Sequence, residues 1–300
     1  MLVVDSGDLF FKPRAIGSVE SHRARANLIG KAFLRMKADA INIGDEDLAQ
    51  GIEFLQAEST RGLPLISANL ISASSGKRIF PAYRIKRVED LRIAFIGLMS
   101  NWTGPLSRSV ADIIRVKNPA EALREILPEV RAQADLAILL SDLGSHGDAL
   151  LVRSIPDLPI VLGGHEGRFQ KYPQMEGRSY LFQSYTKGMY VGFLRLNVKN
   201  PSASFHDQGK PDQIRDRLSS IERSVFTLQR QKGKSPQETI DQRIRDLERQ
   251  KAALLEEMDE WKKSPKDGNL LRWNLYPLEK SLGEDENIRK EIQKAGFVQD

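Results

Sequence analysis

Apolar residues follow two rhythms along this chain, and the change comes near residue 200. In the first part, short apolar and β-branched runs alternate with stretches of helical spacing. Leu2-Val3-Val4 predicts a buried strand that ends in Asp5-Ser6-Gly7-Asp8. Ala26, Ile29, Ala32, Phe33 and Met36 share one helical face, which predicts a helix over 19–36. A short strand over 40–43 ends at Gly44, a helix follows over 48–57, and 65–70 reads as the next strand. Residues 79–86 and 91–98 predict two β segments joined near Glu89-Asp90. Pro119 opens a helix with Ala122, Leu123, Ile126 and Val130 on one face, a position where the missing N–H costs nothing. The continuous apolar runs 136–140 and 160–162 suit strands covered on both faces. Residues 180–183 and 190–198 predict two more strands. The alternation argues for an α/β layer architecture, with function in the loops at the carboxyl ends of the strands.

The second rhythm is a heptad. Residues 201–212 carry Pro201, Gly209 and Pro211 and read as a linker. Ile214, Leu218, Ile221, Val225 and Leu228 then recur at 4-3-4-3 spacing. Gly233-Lys234-Ser235-Pro236 breaks that helix, and Ser235 with Glu238 matches a capping box. A second seam holds Ile240, Ile244, Leu247, Leu254, Met258 and Trp261, with Lys251 as its polar interruption. The expected organisation is an α/β domain over 1–200, a linker over 201–212, a helical hairpin over 213–262, and an extended segment plus short helix over 263–300. The hairpin could pack on itself, on a second copy of the chain or on a protein partner.

Composition adds exclusions. The chain has no cysteine, so disulfides, thiolate metal sites and a cysteine nucleophile are ruled out. No apolar run approaches the length of a membrane span, and no signal-peptide pattern follows Met1. The net charge of +5 comes from 45 Lys and Arg against 40 Asp and Glu with the signs interleaved, so nucleic-acid binding ranks last among the functions considered.

Polar clusters stand at the predicted strand ends: Asp5-x-Gly7-Asp8, Gly44-Asp45-Glu46-Asp47, Ser141-Asp142-Leu143-Gly144 and Gly163-Gly164-His165-Glu166. Carboxylates and an imidazole converging from several strand ends are a usual way to hold Mg²⁺, Mn²⁺ or Zn²⁺. Each cluster alone also fits a plain turn or helix cap. His22 and His206 read as surface residues, and His146 as a neighbour of the candidate site.

The order of these clusters, together with Leu63-Pro64-Leu65-Ile66-Ser67-Ala68-Asn69-Leu70 and Asp90-Leu91-Arg92-Ile93-Ala94-Phe95-Ile96-Gly97-Leu98, resembles the 5'-nucleotidase branch of the calcineurin-like metallophosphoesterases over about residues 1–200. The resemblance implies a four-layer α/β/β/α sandwich of two mixed sheets, a two-metal site and hydrolysis of phosphate esters such as nucleotides. It also implies that Asp8, Asp45, Asp142 and His165 ligate metal, and that Glu46 stands where the family has a catalytic histidine. The family's first strand with its Asp-x-His is not found. One reading is a chain shortened at its start, which would place the whole protein in the periplasm or cell envelope; the other is a degenerate paralogue. The remaining oxygen-rich ligand set suits Mg²⁺ or Mn²⁺ better than Zn²⁺. Two functions stay open: a metal-dependent phosphoesterase with a degenerate site, and a catalytically inactive module that docks a partner through the hairpin.

Overall fold

The structure, a computed structural model, describes residues 1–12, 18–100, 112–186, 188–230, 237–264 and 267–297. The chain divides into two compact units, Met1–Gly192 with Leu275–Asp300, and Phe193–Asn274.

In the first unit the chain runs through β1 (Val4–Asp5), α1 (Val19–Arg35), β2 (Ala40–Asn42), α2 (Ile52–Thr60), β3 (Leu65–Ile66), β4 (Leu70–Ser72), β5 (Tyr83–Val88), β6 (Leu91–Met99) and β7 (Ile114–Val116). It continues through α3 (Pro119–Gln133), β8 (Leu136–Asp142), α4 (Gly144–Ser154), β9 (Ile160–Gly163), β10 (Gln174–Glu176), β11 (Ser179–Gln183) and the start of β12 (Tyr190–Asn197). One sheet has the order β1-β2-β3, all parallel. The other has the order β10-β11-β9-β8-β6-β5, with parallel pairing from β11 through β6 and antiparallel edges. β4 and β7 form a small antiparallel pair.

Two apolar cores make the layers. Leu123, Ile126 and Val130 of α3 and Val152 of α4 pack on Ile96, Leu139 and Val161 of the six-stranded sheet. Ala26 of α1 and Phe54 and Leu55 of α2 pack on Ile41 and Leu65 of the three-stranded sheet. β6 is buried from Ile93 to Met99 without a break, as its uninterrupted apolar sequence requires of a strand covered on both faces. Asn42 ties the two sheets together, since its Nδ2 donates to the carbonyls of Ser6 and Leu98 at 2.9 and 2.8 Å.

Some expected elements differ. The strand expected over 65–70 is two strands, β3 and β4, in different sheets. Asn69 interrupts it: its side-chain oxygen accepts from Met99 N at 3.1 Å and its Nδ2 donates to the carbonyls of Met99 and Lys117. The helix expected over 48–57 is a 3-10 turn, Glu46–Gln50, followed by α2, because Gly51 at φ 81 stops the first and starts the second. His22 is half-buried rather than a surface residue, with its Nε2 sealed from water.

The second unit contains β13 (Phe205–Asp207), α5 (Lys210–Arg230), α6 (Gln237–Lys263) and most of β14 (Asn269–Pro277), with β13 and β14 parallel. Ile214, Ile221 and Leu254 are buried between the helices, flanked by Leu218, Val225, Leu247 and Met258. Lys251 pairs with Glu222 across them at 3.1 Å. The expected turn at Gly233-Lys234-Ser235-Pro236, and with it the capping box, lies outside the described residues. Trp261 leaves the seam; it stacks on His206 with ring centroids 5.0 Å apart and donates to the carbonyl of Asp207. His206 is therefore half-buried, not a surface residue.

The segment 201–212, expected as a linker, contains β13 and the start of α5. Buried Asn269 is the reason. Its oxygen accepts from Lys199 N and Asn200 N, and its Nδ2 donates to the carbonyls of Asn200 and Ala203, so the polar turn is fastened to β14. After β14 the chain forms a 3-10 turn at Lys280–Leu282 and α7 (Glu286–Lys294), capped by Asp285 and joined to α1 by Lys31–Glu291 at 2.8 Å.

Candidate metal centre

Asp8, Asp45, Asp142 and His165 come from the carboxyl ends of β1, β2, β8 and β9, and one ligand atom from each lies within 4.8 Å of the others. Nδ1 of His165 is 3.2 Å from Oδ2 of Asp8, 3.4 Å from Oδ1 of Asp45 and 3.6 Å from Oδ1 of Asp142. The backbone N–H of Asp45 donates to Oδ2 of Asp142, which is fully buried. The backbone N–H of Glu46 donates to Oδ1 of Asp8 at 2.9 Å.

Local backbone geometry makes this convergence. Asp8 and His165 both have left-handed backbones, at φ 56 and 71, which non-glycine residues adopt at a cost and which concentrate at functional sites. Gly44 has no alternative, because a Cβ there would sit 2.2 Å from Oδ1 of Asp8 and 2.5 Å from its nitrogen. Gly164 N donates to the carbonyl of Ser141 at 2.7 Å, which seats the His165 turn beside the end of β8.

Sequence reasoning gave no role to Asp47, which organises the floor. It is 1% exposed, its Oδ2 accepts from the N–H groups of Asp8 and Gly44, and its Oδ1 accepts from Phe10 N. The only signal in the sequence was its place three residues after a strand-end glycine.

Glu46 is half-buried beside the cluster, and its carboxyl is pushed up to about 6 by burial and then by Asp8 and Asp45. His146, expected as a neighbour, is exposed on α4 and is not one of the four; the helix beginning at Gly144 carries it to the surface.

The charges are unbalanced in a way that a cation corrects. Burial and the neighbouring Asp8 charge drive the Asp142 carboxyl up to about 8, despite the opposing effect of His165. The three carboxylates, Asp142 first, hold the His165 imidazole protonated up to about 12. Oδ1 of Asp45 and Oδ1 of Asp142 are sealed from water with no hydrogen-bond donor. Buried carboxylate oxygens that lack a hydrogen-bond donor and share one imidazole are what a hard divalent ion satisfies, so the donor set fits such an ion.

Behind the cluster, Ser141 donates a short hydrogen bond to Oδ1 of Asp148. Burial raises the Asp148 carboxyl from 3.8 to about 7, and the Glu166 charge adds to this. A raised carboxyl favours folding below its unfolded value, and that contribution is lost as pH climbs toward the folded value. Wild type is therefore expected to lose stability relative to Asp148→Asn between about pH 4 and 7, because an asparagine at this position cannot ionise yet still accepts from Ser141. Urea midpoints of both proteins across that range check this; parallel curves would show Asp148 unshifted.

No family model matches the chain. A 5'-nucleotidase from Vibrio cholerae is 25% identical over 233 residues, covering 67% of this chain and 41% of the relative. Among solved structures, a 5'-nucleotidase precursor from Thermus thermophilus aligns with a TM-score of 0.55 at 21% identity, over 68% of this chain and 43% of that one. The calcineurin-like phosphoesterase YfkN from Bacillus subtilis aligns with a TM-score of 0.55 at 17% identity, over 67% and 73%. The first unit thus has the calcineurin-like metallophosphoesterase fold. Within that class its sequence is similar to the N-terminal part of 5'-nucleotidases such as the Vibrio cholerae relative. The chain spans about two-fifths of the length of the curated relatives it matches.

Proposed function

We propose that this chain is a phosphoester-binding metallophosphoesterase domain that holds one divalent cation, Mn²⁺ or Mg²⁺, between Asp8, Asp45, Asp142 and His165, and turns substrate over slowly. The observation that carries this reading is the convergence of three carboxylates and an imidazole from four strand ends within 4.8 Å. A divalent cation bound there would polarise a phosphoryl oxygen and lower the pKa of a bound water. The chain's own residues supply position. Asp47 holds the Asp8 and Gly44 backbones, and Asp142 orients Asp45 through its N–H.

Glu46 sets the limit on turnover. It stands where the resemblance implies an imidazole, and a carboxyl flanked by Asp8 and Asp45 adds negative charge where a transferring phosphoryl group develops it. The names of the curated relatives point to nucleotides as the phosphoester class. The 300-residue chain is expected to hydrolyse p-nitrophenyl phosphate or AMP weakly or not at all with Mn²⁺ present, while binding one Mn²⁺ in equilibrium dialysis. No bound ion at millimolar Mn²⁺ would end the reading. Robust turnover that vanishes in Asp8→Ala would show that the remaining ligands suffice for catalysis.

A second reading, an inactive module docking through the hairpin, is favoured by Phe226 at 60% and Leu255 at 48% exposure on otherwise charged helices. A concentration-dependent mass in sedimentation, with no Mn²⁺ bound, would favour it over the first.

A further inference from the structure

Three aromatic rings come from the segments that follow β9 and β11, the first of which also delivers His165, and neither the ligand set nor the core uses them. Phe169, Tyr185 and Tyr190 meet edge to face in all three pairings, with centroids 5.1 Å apart for Phe169–Tyr190, 5.8 Å for Tyr185–Tyr190 and 6.0 Å for Phe169–Tyr185. Phe169 is 48% and Tyr185 38% exposed, so the cluster offers ring surface to solvent. Exposed rings fixed against one another suit a ligand more than a core.

Their position follows from the sheet. β9 and β11 are parallel neighbours, and Gly163 is in register with Gln183. The turn that delivers His165 and the turn that delivers Tyr185 therefore leave the same end of adjacent strands, the end where ligands collect in open α/β sheets. The two turns are also in contact. Phe169 and Ser184 form an isolated antiparallel bridge, and a Cβ on Gly167 would lie 2.8 Å from Cβ of Thr186. Phe169 is four residues beyond His165, with exposed Arg168 between them. Tyr185 is held at φ 79, a backbone that a bulky residue rarely adopts and that fixes where its ring emerges.

We propose that Phe169, Tyr185 and Tyr190 form an aromatic subsite that takes the planar aromatic group of a phosphomonoester whose phosphate lies at the Asp8–Asp45–Asp142–His165 centre. The inference rests on the phosphoester reading above and names the organic part of its ligand. The ring edges and faces supply packing without demanding a particular hydrogen-bonding pattern, so the subsite discriminates planar from aliphatic groups.

Phenylphosphonate and methylphosphonate test this without requiring turnover. Both are titrated calorimetrically into the 300-residue chain loaded with Mn²⁺. The expected result is that wild type binds phenylphosphonate about threefold to tenfold more tightly than methylphosphonate, and that the ratio falls to within about twofold in Phe169→Ala and in Tyr185→Asn. Asparagine tolerates the left-handed backbone at position 185, and Phe169 is half-exposed, so the two variants perturb folding by different routes and either one can carry the test. Equal affinities in wild type, or a ratio that persists in both variants, would overturn the subsite alone. Binding of neither phosphonate while Mn²⁺ is retained would overturn the phosphoester reading and the subsite with it.

Discussion

Asp142→Asn is expected to lower Mn²⁺ affinity at least a hundredfold while leaving the metal-free protein as stable as wild type or more so. The two effects have one cause. Asp142 is fully buried, and its carboxyl is raised to about 8 because burial and Asp8 oppose its charge. Without a cation that charge is a liability, and an amide removes it. The substituted amide still offers an oxygen to Asp45 N, which donates to Oδ2 in wild type, so the turn after β2 keeps its anchor. With a cation the same charge is the main attraction, and a neutral oxygen is a far weaker partner for a hard ion. Mn²⁺ at about a hundred times its dissociation constant is worth about 2.7 kcal/mol of stability to wild type. In a domain of this size, that is a rise in melting temperature of roughly 4–8 °C. At the same Mn²⁺ concentration the variant is expected to rise by about 1 °C or less. The affinity of wild type is also expected to climb as pH rises toward about 8, because protons and Mn²⁺ compete for Asp142. Calorimetric titration with thermal melts checks both effects; a melting temperature that Mn²⁺ raises equally in both proteins would remove Asp142 from the ligand set.

The convergence of Asp8, Asp45, Asp142 and His165 was legible because each follows an apolar run, and parallel strands bring their carboxyl ends together. What the pattern of apolar residues could not show is which buried polar side chains stand in for backbone. Asn69 reads as one more position in the run Leu65-Ile66-Ser67-Ala68-Asn69-Leu70, yet its amide bonds to Met99 and Lys117 and splits the run between two sheets. Asn269 does the same for the segment near residue 200, where proline and glycine suggested a free linker. β10 was missed for another reason. Its Gln174, Met175 and Glu176 form a polar, exposed edge strand, and an edge has no covered face to impose a period. The helical seam was readable up to Met258. Trp261 kept the spacing but not the partner, since its indole N–H donates to the carbonyl of Asp207 instead of joining the apolar stripe.

Asp47→Ala is expected to cost about 3–5 kcal/mol of stability and to weaken Mn²⁺ binding, although Asp47 is not one of the four clustered ligands. Its two oxygens accept from three backbone N–H groups, at 2.8 Å from Phe10 and 3.0 Å from Asp8 and Gly44. Removing them leaves those donors buried without partners, and each such loss costs about 1–3 kcal/mol. Against a total stability of about 5–15 kcal/mol that is a large fraction. The metal effect follows from the same bonds. Asp8 holds a left-handed backbone and Gly44 lies in van der Waals conflict with any side chain, so both turns need the floor that Asp47 provides. Asp47→Asn separates the contributions. Its oxygen can still accept from Phe10, but its NH₂ would face the Asp8 and Gly44 donors and could not accept from either. It is expected to fall between wild type and the alanine variant in urea midpoint and to bind Mn²⁺ more weakly than wild type. Wild-type midpoints and affinities in both variants would mean that the Asp8 and Gly44 turns hold themselves, and that the three hydrogen bonds are incidental to the site.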